Sequence, residues 1–267
     1  MYKFKDKVII ITGASEGIGR ALSLSLSSQK PKLVLAARNK ERLMQLKEEV
    51  DLKGSKCLVV PTDVSKITEC KNLIDSTISE FGCLDILVNN AGRTMWTTLQ
   101  EMEDPSIIEE LIRINYLGAA HCTYYALSHL IKSKGQIVGV SSVAGLNGVP
   151  TRTAYAASKH AMFGFFDSLR IELKSTGVAV TMIAPDFVLS EIHRRAFGKD
   201  GKPLGLSPIQ EDKVMTADEC AALIIKAMEN RKRLAILSAR AKLGRWVKLI
   251  APDFIDQMAL KAIREAK

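Results

Sequence analysis

Tyr155 and Lys159 stand four residues apart in Tyr155-Ala156-Ala157-Ser158-Lys159, inside a stretch (Thr153–Ser175) whose pattern predicts a helix. That spacing sets the phenol and the ammonium on one helix face. A free phenol titrates near pH ~10, too high to move protons readily at neutrality, and a nearby cation favours the phenolate. Together the two residues make a proton donor and acceptor for neutral pH. Ser142, thirteen residues before Tyr155, ends a predicted strand and could hold a polarised oxygen beside them. The bland alternative is a surface pair and an ordinary serine.

A second group of residues reads as a phosphate cradle. The first predicted strand runs into Thr12-Gly13-Ala14-Ser15-Glu16-Gly17-Ile18-Gly19, and a helix follows. A glycine-rich strand-to-helix turn lets the backbone approach a pyrophosphate, whose charge sits at the helix N-terminus. A tight turn that merely needs glycine is the competing reading. At the end of the second strand Ala37 occupies the place where an acid would bind a ribose 2′-hydroxyl, and Arg38 follows. A guanidinium there can pair with a 2′-phosphate that a carboxylate would repel. Glu16, inside the glycine loop, runs against that reading.

The elements that must position these groups alternate between strand and helix, the signature of a parallel sheet covered on both faces. Strands are predicted at Val8–Thr12, Leu33–Ala37, Cys57–Pro61, Ile86–Val88, Gln136–Ser141, Val178–Ile183 and Leu234–Leu237. Helices are predicted at Ile18–Ser28, Lys40–Leu52, Ile67–Phe81, Pro105–Ile131, Thr153–Ser175 and Ala217–Glu229. The expectation is one α/β domain over residues 1–267: a Rossmann-like, doubly wound, seven-stranded parallel sheet with helices on both faces. Asp186–Met215 is irregular, and a loop that long inside a domain reads as a substrate lid. Phe187, Val188, Leu189, Ile192, Phe197, Leu204 and Leu206 could line an apolar pocket, with Met95 and Trp96 adding to it.

Taken in order, these motifs resemble those of the short-chain dehydrogenases/reductases. The T-G-x-x-x-G-x-G turn is followed by Asn89-Asn90-Ala91-Gly92, Asn115, Ser141-Ser142 and Y-x-x-x-K, and the similarity runs from Lys7 to about Leu237. The resemblance implies hydride transfer between a nicotinamide cofactor and a carbonyl or alcohol, with Asn115, Ser142, Tyr155 and Lys159 as the catalytic set. It further implies that Lys159 contacts the nicotinamide ribose and that Asn115 links the lysine to solvent through water. The implied cofactor contacts are Gly13, Ser15, Glu16, Gly17, Ile18, Gly19, Arg38, Asp63, Val64, Asn90, Ala91, Gly92, Tyr155, Lys159, Pro185, Val188 and Ser190. NADPH/NADP is favoured over NADH/NAD on Arg38 and Ala37. Pro185-Asp186-Phe187-Val188-Leu189-Ser190 departs from the family's P-G-x-V-x-T by placing Asp186 where glycine is usual, which puts backbone geometry there in question. The C-terminal wording from Arg240 resembles the branch containing 11-beta-hydroxysteroid dehydrogenases, and that favours a lipid-like, steroid-like or aromatic substrate. Relatives commonly pair helices across a two-fold axis, implying a homodimer or homotetramer. An NAD-dependent alcohol dehydrogenase and a non-catalytic nucleotide-sensing or scaffolding protein stay open as alternatives.

Composition sets outer bounds. Hydrophobic residues make up 47% and charged residues 25%, which is globular and excludes a disordered chain. No run has the roughly 18–20 apolar residues of a membrane span, and the N-terminal residues lack the features of a secretory signal. Five cysteines without metal-ligand spacing, and four dispersed histidines, give no expectation of a metal site and point to a reducing, cytoplasmic setting. Most of the +9 charge lies in Lys226–Lys267, with eleven Lys or Arg against four Asp or Glu. No groove-reading motif accompanies it, so nucleic acid is not an expected partner. Residues 239–267 read instead as a basic amphipathic segment: Leu243, Trp246, Val247 and Ile250 share an arc, Lys242, Arg245 and Lys248 oppose it, and Pro252 breaks the pattern. That arc packs on the subunit or its partner in one reading. In the other it touches an anionic membrane peripherally while closing the pocket.

Overall fold

The computed structural model describes residues 3–210 and 214–264; side chains are described only as far as Lys261. Seven parallel strands form one sheet: β1 (Val8–Thr12), β2 (Lys32–Ala37), β3 (Lys56–Pro61), β4 (Ile86–Asn89), β5 (Gln136–Val140), β6 (Ala179–Ala184) and β7 (Leu234–Ile236), in the order β3-β2-β1-β4-β5-β6-β7. The central strands are apolar runs because both their faces are covered: all of Val8–Thr12 and Ile86–Asn89 is buried. Register is tight, with Ile9 opposite Leu33 and Ile10 opposite Leu87.

Helices α1 (Gly17–Ser27), α2 (Lys40–Leu52) and α7 (Ala217–Glu229) cover one face through Leu22, Leu26, Leu43, Leu46 and Ile224. Helices α3 (Ile67–Phe81), α5 (Gly118–Ser133) and α6 (Thr153–Glu172) cover the other through Leu73, Ile74, Leu130 and Phe166. Local signals mark their ends. The Asn39 side chain accepts from the Arg42 backbone N–H to start α2, and Thr216 with Glu219 forms a reciprocal cap on α7. The chain crosses to opposite sides of the sheet after β1 and after β4, which opens a crevice at the strands' C-terminal ends.

Two expectations change. The helix predicted over Pro105–Ile131 divides into α4 (Ser106–Ile112), a π-helical turn (Arg113–Leu117) and α5. The wider turn brings Asn115 inward, where it is fully buried, and a side chain at Gly118 would strike Val64 Cγ2 at 2.8 Å. Periodicity counted along one continuous helix cannot show such a bulge. The C-terminal segment forms α8 (Ala239–Ile250) and α9 (Pro252–Arg264), and α8 does not bury its apolar arc. Ala241 is buried and Gly244, Val247 and Lys248 are half-buried, while Leu243, Trp246 and Ile250 are exposed, Trp246 at 68%. Lys248, expected on the outer face, reaches inward and donates to the Leu146 carbonyl at 2.9 Å. No helix among the described residues is long and apolar enough to cross a membrane.

Candidate active site

A cavity of about 940 Å³ follows the crevice from the glycine turn to the start of α6. Of the residues singled out from the sequence, Gly13, Ser15, Glu16, Gly17, Ile18, Arg38, Asp63, Val64, Asn90, Ala91, Gly92, Ser142, Tyr155, Lys159, Pro185, Val188 and Ser190 border it. Gly19 and Asn115 stand behind its wall.

The glycine turn is shaped by contacts that leave no room for side chains. Gly13 adopts φ +66°, and a Cβ on Gly19 would lie 2.2 Å from the Gly13 carbonyl oxygen and 2.6 Å from Asn90 Nδ2. Thr12, which sequence reasoning left out of the site, ties the turn to β4. Its hydroxyl donates to the Val88 carbonyl and accepts from the backbone N–H groups of Asn90 and Ala91, both at 3.0 Å. Asn90 Nδ2 in turn donates to the Thr12 carbonyl at 2.9 Å. Helix α1 has no side-chain cap and no acid in its first turn, so its leading N–H groups stay available to an anion. The turn, the helix end and a cavity long enough to reach Tyr155 fit a dinucleotide.

At the end of β2, Arg38 is exposed and forms no ion pair or side-chain hydrogen bond among the described residues. Glu16, which had argued against a phosphate there, is held by Arg42 at 2.6 Å and Arg195 at 2.7 Å, and its charge is offset. Asp63 accepts from the backbone N–H and the hydroxyl of Ser65, fixing the turn that presents Val64. Ser190 lies over the glycine turn, 3.1 Å from where a Gly17 Cβ would stand.

Tyr155 and Lys159 share the buried face of α6. Burial raises the Tyr155 phenol's pKa above its ordinary value; the Ser142 hydrogen bond and the nearby Arg152 charge pull it back. Lys159, expected from the sequence to favour the phenolate, stands close to that ring. Its ammonium lies 5.9 Å from the Tyr155 ring centroid and donates to the Val140 carbonyl at 3.0 Å, and burial lowers its own pKa to about 8. Asn115 makes no direct hydrogen bond to Lys159 among the described residues. Its side chain grips the Arg93 peptide, accepting from the N–H at 2.8 Å and donating to the carbonyl at 2.9 Å, and also donates to Ser158. Gly92 fits between them, its missing side chain leaving space near Asn115 Oδ1 and Lys159 Nζ.

Asp186 needs no glycine-like backbone, since its φ is not positive. Its carboxylate accepts from Ser238 and Arg240, each at 2.9 Å, and so ties the end of β6 to the start of α8. Of the apolar residues expected at the pocket, Phe187, Val188 and Ile192 line it. Phe197 packs instead with Met95 in the interior, Leu204 lies off the cavity, and Leu189 and Leu206 are exposed. The missing apolar wall comes from far along the chain: Leu243, Val247, Phe254, Ile255 and Met258 of α8 and α9. Trp96 and Phe187 flank Arg152, a residue with no motif to single it out.

Such a site can hold a dinucleotide along the strand ends and an oxygen-bearing carbon against Ser142 and Tyr155. Residues 7–200 match the family described as short chain dehydrogenase. A Dictyostelium discoideum protein named dehydrogenase/reductase SDR family protein 7-like is 34% identical over 264 residues, 97% of this chain and 82% of the relative. The 11-beta-hydroxysteroid dehydrogenase-like 4A of Arabidopsis thaliana is 34% identical over 257 residues, covering 95% and 83%. A short chain dehydrogenase/reductase from Burkholderia phymatum, solved in complex with NAD, superposes with a TM-score of 0.84 at 25% identity, covering 95% of this chain and 96% of that one. An alcohol dehydrogenase from the archaeon Thermococcus sibiricus, complexed with 5-hydroxy-NADP, superposes at 0.75 and 25% identity, covering 86% and 95%. With its seven parallel strands, its glycine turn and its Ser142, Tyr155 and Lys159 around one crevice, this chain belongs to the short-chain dehydrogenase/reductase family, a family of NAD(P)-dependent oxidoreductases, and resembles the branch of the 11-beta-hydroxysteroid dehydrogenase-like proteins.

Proposed function

We propose that the protein is an NADPH-dependent oxidoreductase that interconverts a carbonyl and an alcohol on a substrate with an apolar body. The observation that carries the reading is the meeting of Ser142, Tyr155 and Lys159 at one end of a cavity whose other end is the glycine turn. A bound nicotinamide cofactor supplies or accepts the hydride. The chain's own residues do the rest. Ser142 holds the substrate oxygen and hydrogen-bonds Tyr155. Tyr155, kept protonated at neutral pH by burial, gives its proton to that oxygen in reduction; in oxidation its phenolate form accepts the proton of the alcohol. Lys159 holds a positive charge beneath the site, available to the cofactor's ribose hydroxyls, and Asn115 positions the Arg93 peptide in the wall beside it.

Preference for NADPH rests on Arg38, which has no ion-pair partner among the described residues, and on Ala37 in place of an acid. Preference for an apolar substrate body rests on Val143, Val149, Phe187 and the α8–α9 side chains around the mouth. Residues 186–215, of which 211–213 lie outside the described residues, act as the lid, and α5 and α6, whose Tyr124 and Ile171 are exposed, pair subunits into a homodimer or homotetramer. Five free cysteines agree with a reducing, cytoplasmic setting.

The test is turnover of a panel of carbonyls and alcohols with both cofactors, run beside Tyr155→Phe. The variant should lose at least ~100-fold in kcat while still binding cofactor, because only the proton donor is gone. Near-normal turnover by Tyr155→Phe would overturn the mechanism.

A further inference from the structure

Arg152 is the N-cap residue of α6, three residues before Tyr155, and it lines the substrate end of the cavity. Its side chain is buried, the residue being only 5% exposed. The guanidinium is surrounded by rings, with centroids at 4.5 Å (Trp96), 4.9 Å (Phe187) and 5.8 Å (Tyr155). Its Nε and Nη2 have no hydrogen-bond partner among the described residues. These two donors form one edge of the guanidinium, the edge that receives a carboxylate through two parallel hydrogen bonds. The acid that acts on it, Asp186, is already engaged by Arg240 and Ser238.

A buried arginine without an anion is costly, because it has left water and cannot shed its proton at neutral pH. Burial brings its pKa down only to about 10, so it remains a cation. The backbone that delivers it is also strained: Thr151, a β-branched residue, adopts φ +65°, and its carbonyl accepts from the Thr97 N–H at 3.0 Å. A dehydrated charge with an open edge, held by a strained loop beside the reacting groups, is what a charged substrate would complete.

Resting on the oxidoreductase reading above, we propose that Arg152 anchors a carboxylate of the substrate, which makes the substrate class oxo acids and hydroxy acids with an apolar body. The guanidinium carbon lies 5.8 Å from the Tyr155 ring centroid, so the carboxylate and the reacting carbonyl are close together in the molecule, within about four bonds. The aromatic rings around the guanidinium and the apolar mouth accommodate the remainder.

The probes are benzoylformate and 3-benzoylpropionate, each against its methyl ester, assayed with NADPH for the unmodified protein, Arg152→Met and Arg152→Lys. The expected result is an acid-over-ester preference in kcat/KM that collapses by about 100-fold in Arg152→Met and partly persists in Arg152→Lys. A role confined to tuning Tyr155 would slow acid and ester alike and leave the ratio unchanged, which would overturn the proposal. Calorimetric binding of the same acids to the NADPH-bound protein reads the site without turnover, and NADPH binding by each variant reports its folding. Acid binding that depends on Arg152 supports the carboxylate anchor even if neither probe is reduced. Turnover of esters without Arg152-dependent acid binding sinks the anchor and leaves the oxidoreductase reading standing. Absence of Arg152-dependent acid binding in every form overturns the anchor outright.

Discussion

Lys159 is buried with no carboxylate partner among the described residues, and its ammonium meets the Val140 carbonyl, the Met162 sulfur and the Tyr155 ring. A residue kept for chemistry at that cost should trade activity against stability. Burial lowers its pKa from 10.5 to about 8. Below pH 8 the lysine is charged both folded and unfolded, and the burial cost is fully present. Between about 8 and 10.5 the unfolded chain binds more protons than the folded one, so stability rises with pH across that window. Lys159→Met should abolish turnover yet stabilise the protein at pH 7 by something on the order of 2–3 kcal/mol. Its advantage should fade from pH 8 to 10.5, read by urea denaturation at several pH values. A constant difference would place the cost elsewhere. At the other end of the cavity, Arg38→Asp should weaken NADPH binding by ~100-fold and NADH binding far less, since a carboxylate would face the 2′-phosphate. Fluorescence titration of each cofactor decides it, and equal affinities in the unmodified protein would reverse the cofactor assignment.

Helix starts and turns carry the next level of constraint. The glycine turn works as a joint between β1, α1 and β4, with Thr12 and Asn90 crossing from one strand to the other. Gly19→Ala would drive a methyl into the Gly13 carbonyl at 2.2 Å and into Asn90. The expected outcome is a destabilisation of about 1–3 kcal/mol and loss of dinucleotide binding, measured by thermal melting and cofactor titration. Gly164→Ala is the control. That glycine is exposed inside α6 with nothing within 4 Å of its Cβ position, so alanine should raise stability by up to about 1 kcal/mol. Cofactor binding surviving in Gly19→Ala would mean that the turn adapts. The π-helical turn before α5 belongs to the same scale, because it aims Asn115 at the Arg93 peptide instead of at solvent.

Across the whole molecule, the C-terminal helices line one end of the cavity while leaving an apolar and basic face outside. Val247, Ile255 and Met258 face the cavity, and Asp186 pins the start of α8 through Ser238 and Arg240. Leu243, Trp246, Leu249 and Ile250 are exposed beside Lys242 and Arg245. Such a face can lie on an anionic bilayer, each basic residue near the surface contributing roughly 1 kcal/mol. The full-length protein should co-sediment with phosphatidylserine vesicles at low salt, release at high salt, and ignore neutral vesicles. Binding that is absent on both lipids would leave the face to a second copy of the chain, visible as a change in sedimentation when Trp246 becomes Glu.

Much of this candidate site is legible in the sequence, because its chemistry depends on short-range spacing. Tyr155 and Lys159 at i and i+4 share a helix face whatever the helix packs against, and Val-Ile-Ile-Ile reads as a buried strand whose glycine turn suits a phosphate site. Spacing could not show where charges end up. That the Ser142 hydrogen bond and the Arg152 charge offset part of the burial that raises the Tyr155 pKa depends on which way buried side chains point, and that Glu16 is neutralised depends on Arg195, 179 residues away. The Asp186 substitution looked like a backbone problem because its partners, Ser238 and Arg240, are more than 50 residues further on. The pocket wall from α8 and α9 was hidden for the same reason: a helical wheel finds an apolar arc, but only packing decides whether that arc or its edge turns inward.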